Sequence, residues 1–175
     1  MNIKKHLAIL ITISMLLISP NTYAVKKEYI LKAGFLFNFA RYGQWETHNK
    51  NSTHFNICSP DQHFSNTATK LLKNKTVNSK KLHIKHITLS NKNITPCHIL
   101  FITDDALPQW HSFSPDPLLN TMIVGENKHF IENGGHIRFF ISGGKIRFAI
   151  SPTSLKKSGV TISSKVLRLA RVVGN

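Results

Sequence analysis

Hydrophobic and polar positions along this chain repeat with several different periods, and each period predicts a different kind of element. Between residues 27 and 44 the apolar side chains surround a helix on all sides instead of forming a single stripe. This pattern predicts a helix that is buried on several sides, or one that covers the core with one face and offers another face to a partner.

Short runs typical of β-strands follow this helix. Residues 55–58 and 121–125 form short apolar runs, and residues 82–89 alternate as a strand does. Residues 98–103 form a nearly unbroken apolar run, which is typical of a strand buried on both faces of a parallel sheet.

Capping residues predict further helices between and after these strands. Asp61 favours a helix start that continues to about Lys73, and Asp104–Asp105 favours another start. We expect a short helix over 126–132, a helix over 152–157 that begins after Ser151 and ends before Gly159, and a last helix over 163–173.

Gly143–Gly144 is a two-residue turn signal and predicts a hairpin over 136–150. In that register Ile141 faces Ile146, Phe139 faces Phe148, and Ile137 faces Ile150, so all six apolar side chains share one face. The opposite face carries His136, Arg138, Phe140, Lys145 and Arg147.

Helices that alternate with short apolar strands predict an α/β fold. We expect a single domain with a mostly parallel sheet flanked by helices on both faces, a late antiparallel hairpin and a C-terminal helix.

The first residues have the character of a secretion signal. Lys4 and Lys5 precede an apolar run of 12 residues, Leu7–Ile18, and Thr22–Ala24 offers small residues before a cut after Ala24. The run is shorter than the roughly 20 residues that a spanning helix needs. We therefore expect residues 1–24 to be a cleaved signal, and residues 25–175 to form one domain that works outside the cytoplasm and does not span a membrane.

The net charge of +15 is high, and removing Lys4 and Lys5 with the signal leaves +13. Such a balance is typical of nucleic-acid binding. Export instead leaves membrane head groups, envelope polymers and acidic proteins as the accessible polyanions. Because the chain has no polybasic run, RNP-like motif or zinc-finger spacing, we expect no nucleic-acid partner.

No arrangement of residues predicts an enzyme, a metal site or a cofactor. The chain has no G-x-S-x-G motif, and its eight acidic residues include no pair placed for acid–base work. His83 and His86 are three positions apart, which on a strand points them to opposite faces, so they are not expected to share a metal ion. The two cysteines, Cys58 and Cys97, suggest one disulfide in an exported protein, with two buried free thiols as the alternative.

Three groups of segments together resemble the YfiR/HmsC-like family of periplasmic proteins. They are EYILKAGFLFNFARYGQW at 28–45, CHILFI at 97–102, and a closing group made of GGHI at 134–137, IRFAI at 146–150 and GVTISSKVLRLAR at 159–171. The segments span nearly all of the expected mature chain and follow the family's order. The family's two cysteines match Cys58 and Cys97, so the resemblance implies a disulfide between them.

The resemblance also implies a function that composition does not reveal. Family members bind the periplasmic portion of an inner-membrane diguanylate cyclase and repress it, which lowers cyclic-di-GMP and biofilm formation. They are often dimeric, so a homodimer is an expectation, although no heptad pattern here points to one.

Candidate partner contacts fall into two groups, an aromatic group of Phe35, Phe39 and Trp45 and a basic group of Lys165, Arg168 and Arg171. Core packing is the alternative for the aromatic residues, and a solvated helix face is the alternative for the basic ones. For the whole protein, the alternative function is a periplasmic module that binds a small ligand or an envelope polymer.

Overall fold

The computed structural model describes residues 21–46, 52–113 and 120–174. Most of the expected secretion signal, residues 1–20, lies outside the described residues. Residues 21–24, which directly precede the expected cut, form the first turn of the first helix, α1.

The main sheet has eight strands within the described part of the chain. They are β2 (His54–Ser59), β3 (Thr76–Val77), β4 (Lys80–His86), β5 (Ile99–Ile102), β6 (Met122–Gly125), β7 (Ile137–Ser142), β8 (Lys145–Ile150) and β10 (Arg171–Val172). Their spatial order is β10-β8-β7-β6-β5-β2-β4-β3. The central strands β4, β2, β5, β6 and β7 run parallel, as predicted.

A second, two-stranded sheet pairs β1 (Gly43–Trp45) antiparallel with β9 (Val160–Ile162). The helices are α1 (Asn21–Tyr42), α2 (Gln62–Leu71), α3 (Asn91–Ile94), α4 (Leu107–Ser112), α5 (Pro152–Lys157) and α6 (Ser164–Leu167), and a 3₁₀ turn over Asp104–Ala106 precedes α4.

Helices cover both faces of the main sheet, which confirms the predicted fold class. On one face α1, α2, α5 and α6 bury a core that includes Phe101 and Phe139. On the other face α3 and α4 bury a smaller core that includes Leu100 and Trp110. Because consecutive residues of β5 enter different cores, the prediction of a strand buried on both faces is also confirmed.

Two local predictions agree with the structure closely. The hairpin has the predicted register throughout, from Ile137 opposite Ile150 to Ile141 opposite Ile146. Helix α5 has the predicted bounds, and the Ser151 side chain accepts a hydrogen bond from the Ser154 amide at its start. Both features depend on contacts between residues that are close in sequence.

Two predicted helices are wrong in whole or in part. Residues 128–134 form hydrogen-bonded turns instead of the expected helix. They bury the Phe130 ring against Gly125, where a Cβ would lie 2.6 Å from that ring. The last helix ends at Leu167, and the chain then forms β10. The free edge of β8 causes this change, because it accepts a strand whose Val173 amide donates to the Ile150 carbonyl oxygen.

Candidate functional site

The two aromatic residues predicted on α1 pack onto the hairpin. Phe39 is 1% exposed and its ring lies 5.0 Å from the ring of Phe148, so it belongs to the core. Phe35 is half-buried, with its ring 5.7 Å from those of both Phe139 and Phe148. Only Phe35 of this pair therefore presents part of its surface to a partner.

Trp45 holds the small sheet against the main one. Its indole N–H donates to the His98 carbonyl oxygen at 3.1 Å, and its ring packs edge-on against Phe55 at 5.0 Å. The side chain is half-buried. Trp45 therefore has a structural role and leaves part of its ring accessible.

Helix α1 also exposes apolar side chains that the sequence prediction did not select. Ile30 is 38% exposed and Leu31 is 48% exposed. The sequence shows that apolar residues surround this whole helix, but that pattern does not indicate which side of the helix faces solvent.

The three predicted basic contacts are all exposed. Lys165 lies on α6, Arg168 follows it, and Arg171 lies on β10. The Arg171 guanidinium lies 4.6 Å from the centre of the Phe140 ring, and Arg138 lies 5.2 Å from the same ring. Arg171 is thus continuous with the polar face predicted for the hairpin.

Phe35 of the aromatic group and Arg171 of the basic group lie on opposite faces of the main sheet. Phe35 packs on Phe139 and Phe148, whereas Arg171 packs on Phe140. Phe139 and Phe140 are neighbours on one strand and point to opposite faces of the sheet. A single partner surface therefore does not cover Phe35 and Arg171 together, whereas Lys165 lies on α6, which packs on the same face of the sheet as α1.

Sequence reasoning missed a polar network at the carboxyl ends of the parallel strands. The Tyr29 hydroxyl donates to Asp61 Oδ2 at 2.7 Å, and the Thr103 hydroxyl donates to the same oxygen at 2.9 Å. The Phe64 amide donates to Asp61 Oδ1 at 2.9 Å, which confirms Asp61 as the helix cap. The sequence does contain one indication of this network, because Asp61 and Thr103 each closely follow a strand.

The environment of this network shifts two pKa values in opposite directions. Burial by itself would raise the pKa of Asp61, but the hydrogen bonds from Phe64, Tyr29 and Thr103 outweigh it and lower that pKa. Burial, followed by the hydrogen bond to Asp61, raises the pKa of Tyr29. Asp61 is therefore an ionised acceptor whose oxygens are already occupied by donors from this chain.

A second part of the network surrounds Lys32, which is 4% exposed. Its ammonium forms ion pairs with Glu28 and with Glu126, the latter at 2.5 Å. Glu126 also accepts a hydrogen bond from the Asp104 amide at 3.1 Å. Burial raises the pKa of Glu126 despite the opposing effect of Lys32. The pair joins α1 to the loop after β6.

The structure contains the expected disulfide between Cys58, on β2, and Cys97, just before β5. Their Cα atoms are 5.9 Å apart, and both residues are fully buried. The bond therefore connects two neighbouring parallel strands inside the smaller core.

His83 and His86, three positions apart on β4, have separate contacts. The His83 ring stacks on that of His54 at 3.9 Å, while His86 Nε2 lies 3.1 Å from the Pro60 carbonyl oxygen. Over residues 21–46, 52–113 and 120–174, no three potential ligand residues are grouped so that they could hold a metal ion. In the same residues, no helix has both the length and the apolar character needed to cross a membrane.

This chain is similar to a family profile and to a solved structure. The sequence profile of the YfiR/HmsC-like family matches residues 29–171. A search of curated protein sequences found no match. A solved structure of a conserved domain protein from Vibrio cholerae O1 biovar El Tor is similar at 12% identity, with a TM-score of 0.45. That alignment covers 83% of this chain and 60% of the Vibrio chain.

Proposed function

This chain belongs to the YfiR/HmsC-like family, and from that premise we propose that it is a periplasmic negative regulator of a membrane-anchored diguanylate cyclase. It binds the periplasmic portion of the cyclase and keeps the cytoplasmic catalytic domain inactive. Cyclic-di-GMP and biofilm formation are then low while the regulator is bound. The family match over residues 29–171 is the observation that carries this proposal.

The described structure is compatible with regulation by protein contact. The charged groups at the carboxyl ends of the strands bind one another, as in the pair of Lys32 with Glu126 and the bonds from Tyr29 and Thr103 to Asp61. They therefore stabilise the position of α1 on the sheet. The exposed parts of α1, around Leu31 and Phe35, and the basic residues Lys165 and Arg168 are the proposed contacts.

Deletion of the gene in its host, followed by measurement of intracellular cyclic-di-GMP, tests the proposal. We expect cyclic-di-GMP to rise on deletion and to fall again when the wild-type gene is restored. Cys58→Ala/Cys97→Ala is expected to restore repression poorly, because the variant lacks the bond that connects β2 to β5. Immunoblots of the periplasmic fraction must show comparable amounts of each exported variant.

The basic contacts are tested with a matched pair of variants. Lys165→Ala/Arg168→Ala is expected to weaken repression. Lys156→Ala/Lys157→Ala removes the same charge from exposed positions on α5 and is expected to retain repression. Equal repression by both variants would remove Lys165 and Arg168 from the proposed contact.

An unchanged cyclic-di-GMP level on deletion, with the wild-type protein exported, would argue against cyclase repression. The alternative, a ligand-binding module, would then be favoured. A pocket of about 290 Å³ beside Trp45, lined also by Phe55, Lys80 and His98, is where a small ligand would be sought.

A further inference from the structure

Strand β4 lies near one edge of the main sheet and is only partly paired on its outer side. Its inner side pairs with β2 from Lys81 to His86. On the outer side, β3 is the last strand of the sheet within the described residues, and it pairs only with Lys80 and Lys81. Residues 82–86 therefore form an open edge, which we call the β4 edge.

The hydrogen bonds along β4 show which backbone groups of this edge are open. The Lys81 amide donates towards β2, whereas the Leu82 amide donates outward, to the Lys75 carbonyl oxygen at 2.9 Å. Because backbone groups alternate between the two sides of a strand, the N–H and C=O groups of Ile84 and His86 point outward. They have no backbone partner in the part of the chain that the structure describes. An edge of this kind is a template for another strand.

A groove of about 580 Å³ lies beside the β4 edge. Half-buried Leu82 and Ile84 contribute its apolar part and pack against the larger core beneath it. The other walls come from the end of α2 and from β3, and they include Thr69, Leu72 and Thr76. The groove therefore offers apolar surface to the side chains of a strand added at this edge.

Lysines surround the β4 edge on both faces of the sheet. Lys85 lies opposite Cys58, so it shares the face of the smaller core with Lys81. Lys73 and Lys75 line the groove at the end of α2. Neither ion pair found in the described residues includes any of these four lysines. Their charges are therefore available to the carboxylates of another molecule.

The open backbone groups and the lysines together favour one kind of partner. Open N–H and C=O groups at strand spacing bind an extended polypeptide, whereas a phospholipid or a nucleic acid has no matching row of amides. Residues 62–103 contain seven lysines and no Asp or Glu, so a complementary segment is acidic. A second copy of this chain is disfavoured, because its own β4 edge carries the same positive charge.

We propose that the β4 edge binds an extended acidic segment of another protein as an added strand. The backbone of that segment bonds to Ile84 and His86. Its carboxylates pair with the surrounding lysines, and its apolar side chains enter the groove. This surface is separate from the contacts proposed on α1 and α6, and the binding does not depend on repression of a cyclase.

Two end-blocked peptides of equal charge test the proposal by titration calorimetry with the purified protein. One alternates glutamate and valine over about eight residues, and the other alternates glutamate and proline over the same length. Proline has no backbone N–H and does not extend a sheet as a regular strand. We expect the glutamate–valine peptide to bind, and the glutamate–proline peptide to bind about tenfold more weakly, because it does not form the outward hydrogen bonds.

Amide hydrogen exchange locates the added strand. Exchange at the amides of Ile84 and His86 should slow when the glutamate–valine peptide is bound. The Lys81 amide already bonds towards β2, so its exchange should not change and provides an internal control. Protection at other sites without protection of Ile84 and His86 would show that the peptide does not pair with the β4 edge.

Matched double variants test the lysines of the groove. Lys73→Ala/Lys75→Ala should weaken binding of the glutamate–valine peptide about fivefold. Lys156→Ala/Lys157→Ala removes the same charge from exposed positions on α5 and should bind within about twofold of wild type. Circular dichroism should show that both variants are folded. The comparison of the two peptides requires no variant and therefore stays decisive if one of them fails to fold.

Three outcomes of the binding measurements would overturn the proposal. Equal affinity for the two peptides would show that charge alone attracts an acidic chain. Equal losses in the two double variants would show that overall charge, and not the lysines of the groove, attracts the peptide. Absence of binding by the glutamate–valine peptide to wild type would leave the lysines only the role of preventing the edge from pairing.

Discussion

His98 and His136 have equivalent positions in the sheet. Each precedes a parallel strand and makes two bonds to the neighbouring strand. The His98 amide donates to the Asn56 carbonyl, and the Asn56 amide donates back to His98 Nδ1 at 3.1 Å. His136 makes the same reciprocal pair with Ile123, at 3.0 Å to Nδ1. Because Nδ1 is an acceptor in both cases, it must carry no proton.

We therefore expect the stability of the fold to decrease in acid because of His136. Burial lowers the pKa of His136 from 6.5 to about 4. Between those values the unfolded chain binds a proton that the folded chain does not. Proton binding to the unfolded chain destabilises the fold. The free energy of unfolding is therefore unaffected by His136 above pH 6.5 and decreases as the pH falls towards 4. The loss is about 3 kcal/mol.

Urea unfolding at several pH values measures this effect. His136→Asn keeps a side-chain acceptor that does not titrate, so its stability should fall less between pH 6.5 and 4 than that of wild type. His129→Asn alters an exposed histidine and should retain the wild-type dependence. If the free energy of unfolding of His136→Asn depends on pH as steeply as that of wild type, His136 is not responsible for the acid sensitivity.

At the scale of elements, the disulfide connects strands that the chain separates widely. Cys58 and Cys97 are 39 positions apart, and the loop between them contains α2, β3, β4 and α3. Closing a loop of that length restricts the unfolded chain and stabilises the fold by about 4 kcal/mol in the chain-entropy view. The bond therefore stabilises this whole half of the sheet.

Reduction of the disulfide is expected to lower the denaturant midpoint. Wild type with a reductant and Cys58→Ala/Cys97→Ala without one should both unfold at lower urea than oxidised wild type, by a free energy of a few kcal/mol. Because both sulfurs are buried, reduction of the native protein should be slow and should accelerate in mild denaturant. The double variant serves as the control, since a reductant should not change its midpoint. Equal midpoints for oxidised and reduced wild type would contradict the prediction.

At the scale of the whole molecule, one buried ion pair connects the first helix to a loop in the second half of the chain. Lys32 on α1 and Glu126 after β6 are 94 positions apart in sequence. Removing one partner of a buried pair leaves the other charge without compensation, which typically costs about 3–5 kcal/mol. The pair thus makes the position of α1 dependent on the carboxyl edge of the sheet.

A double-variant cycle tests this dependence. Lys32→Met is expected to lower the free energy of unfolding by about 3 kcal/mol or more. Lys32→Met/Glu126→Gln should recover part of that loss, because the uncompensated carboxylate is gone. Lys27→Met, at an exposed position of the same helix, should change stability by about 0.5 kcal/mol or less. Additive losses from Lys32→Met and Glu126→Gln would show that the two side chains are not coupled.

Local patterns in the sequence determined several features by themselves. The two glycines of the hairpin turn allow positive φ at 58° and 68°, and this turn sets the whole register from Ile137 to Ile150. Ser151 and Pro152 define the start of α5 in the same local way. The alternation of strands and helices was sufficient for the α/β class, and the segments at 28–45, 97–102 and the C-terminal end were sufficient for the family.

Only the tertiary structure decided the features that depend on distant neighbours. Residues 171–172 form a strand because β8 offers a free edge, and residues 128–134 form turns because Phe130 fills space beside Gly125. Lys32 is buried because Glu126 is there to pair with it, and Phe39 faces the hairpin while Leu31 faces solvent. Sequence periodicity reports which residues share a face. Which partner covers that face depends on contacts between residues far apart in the chain.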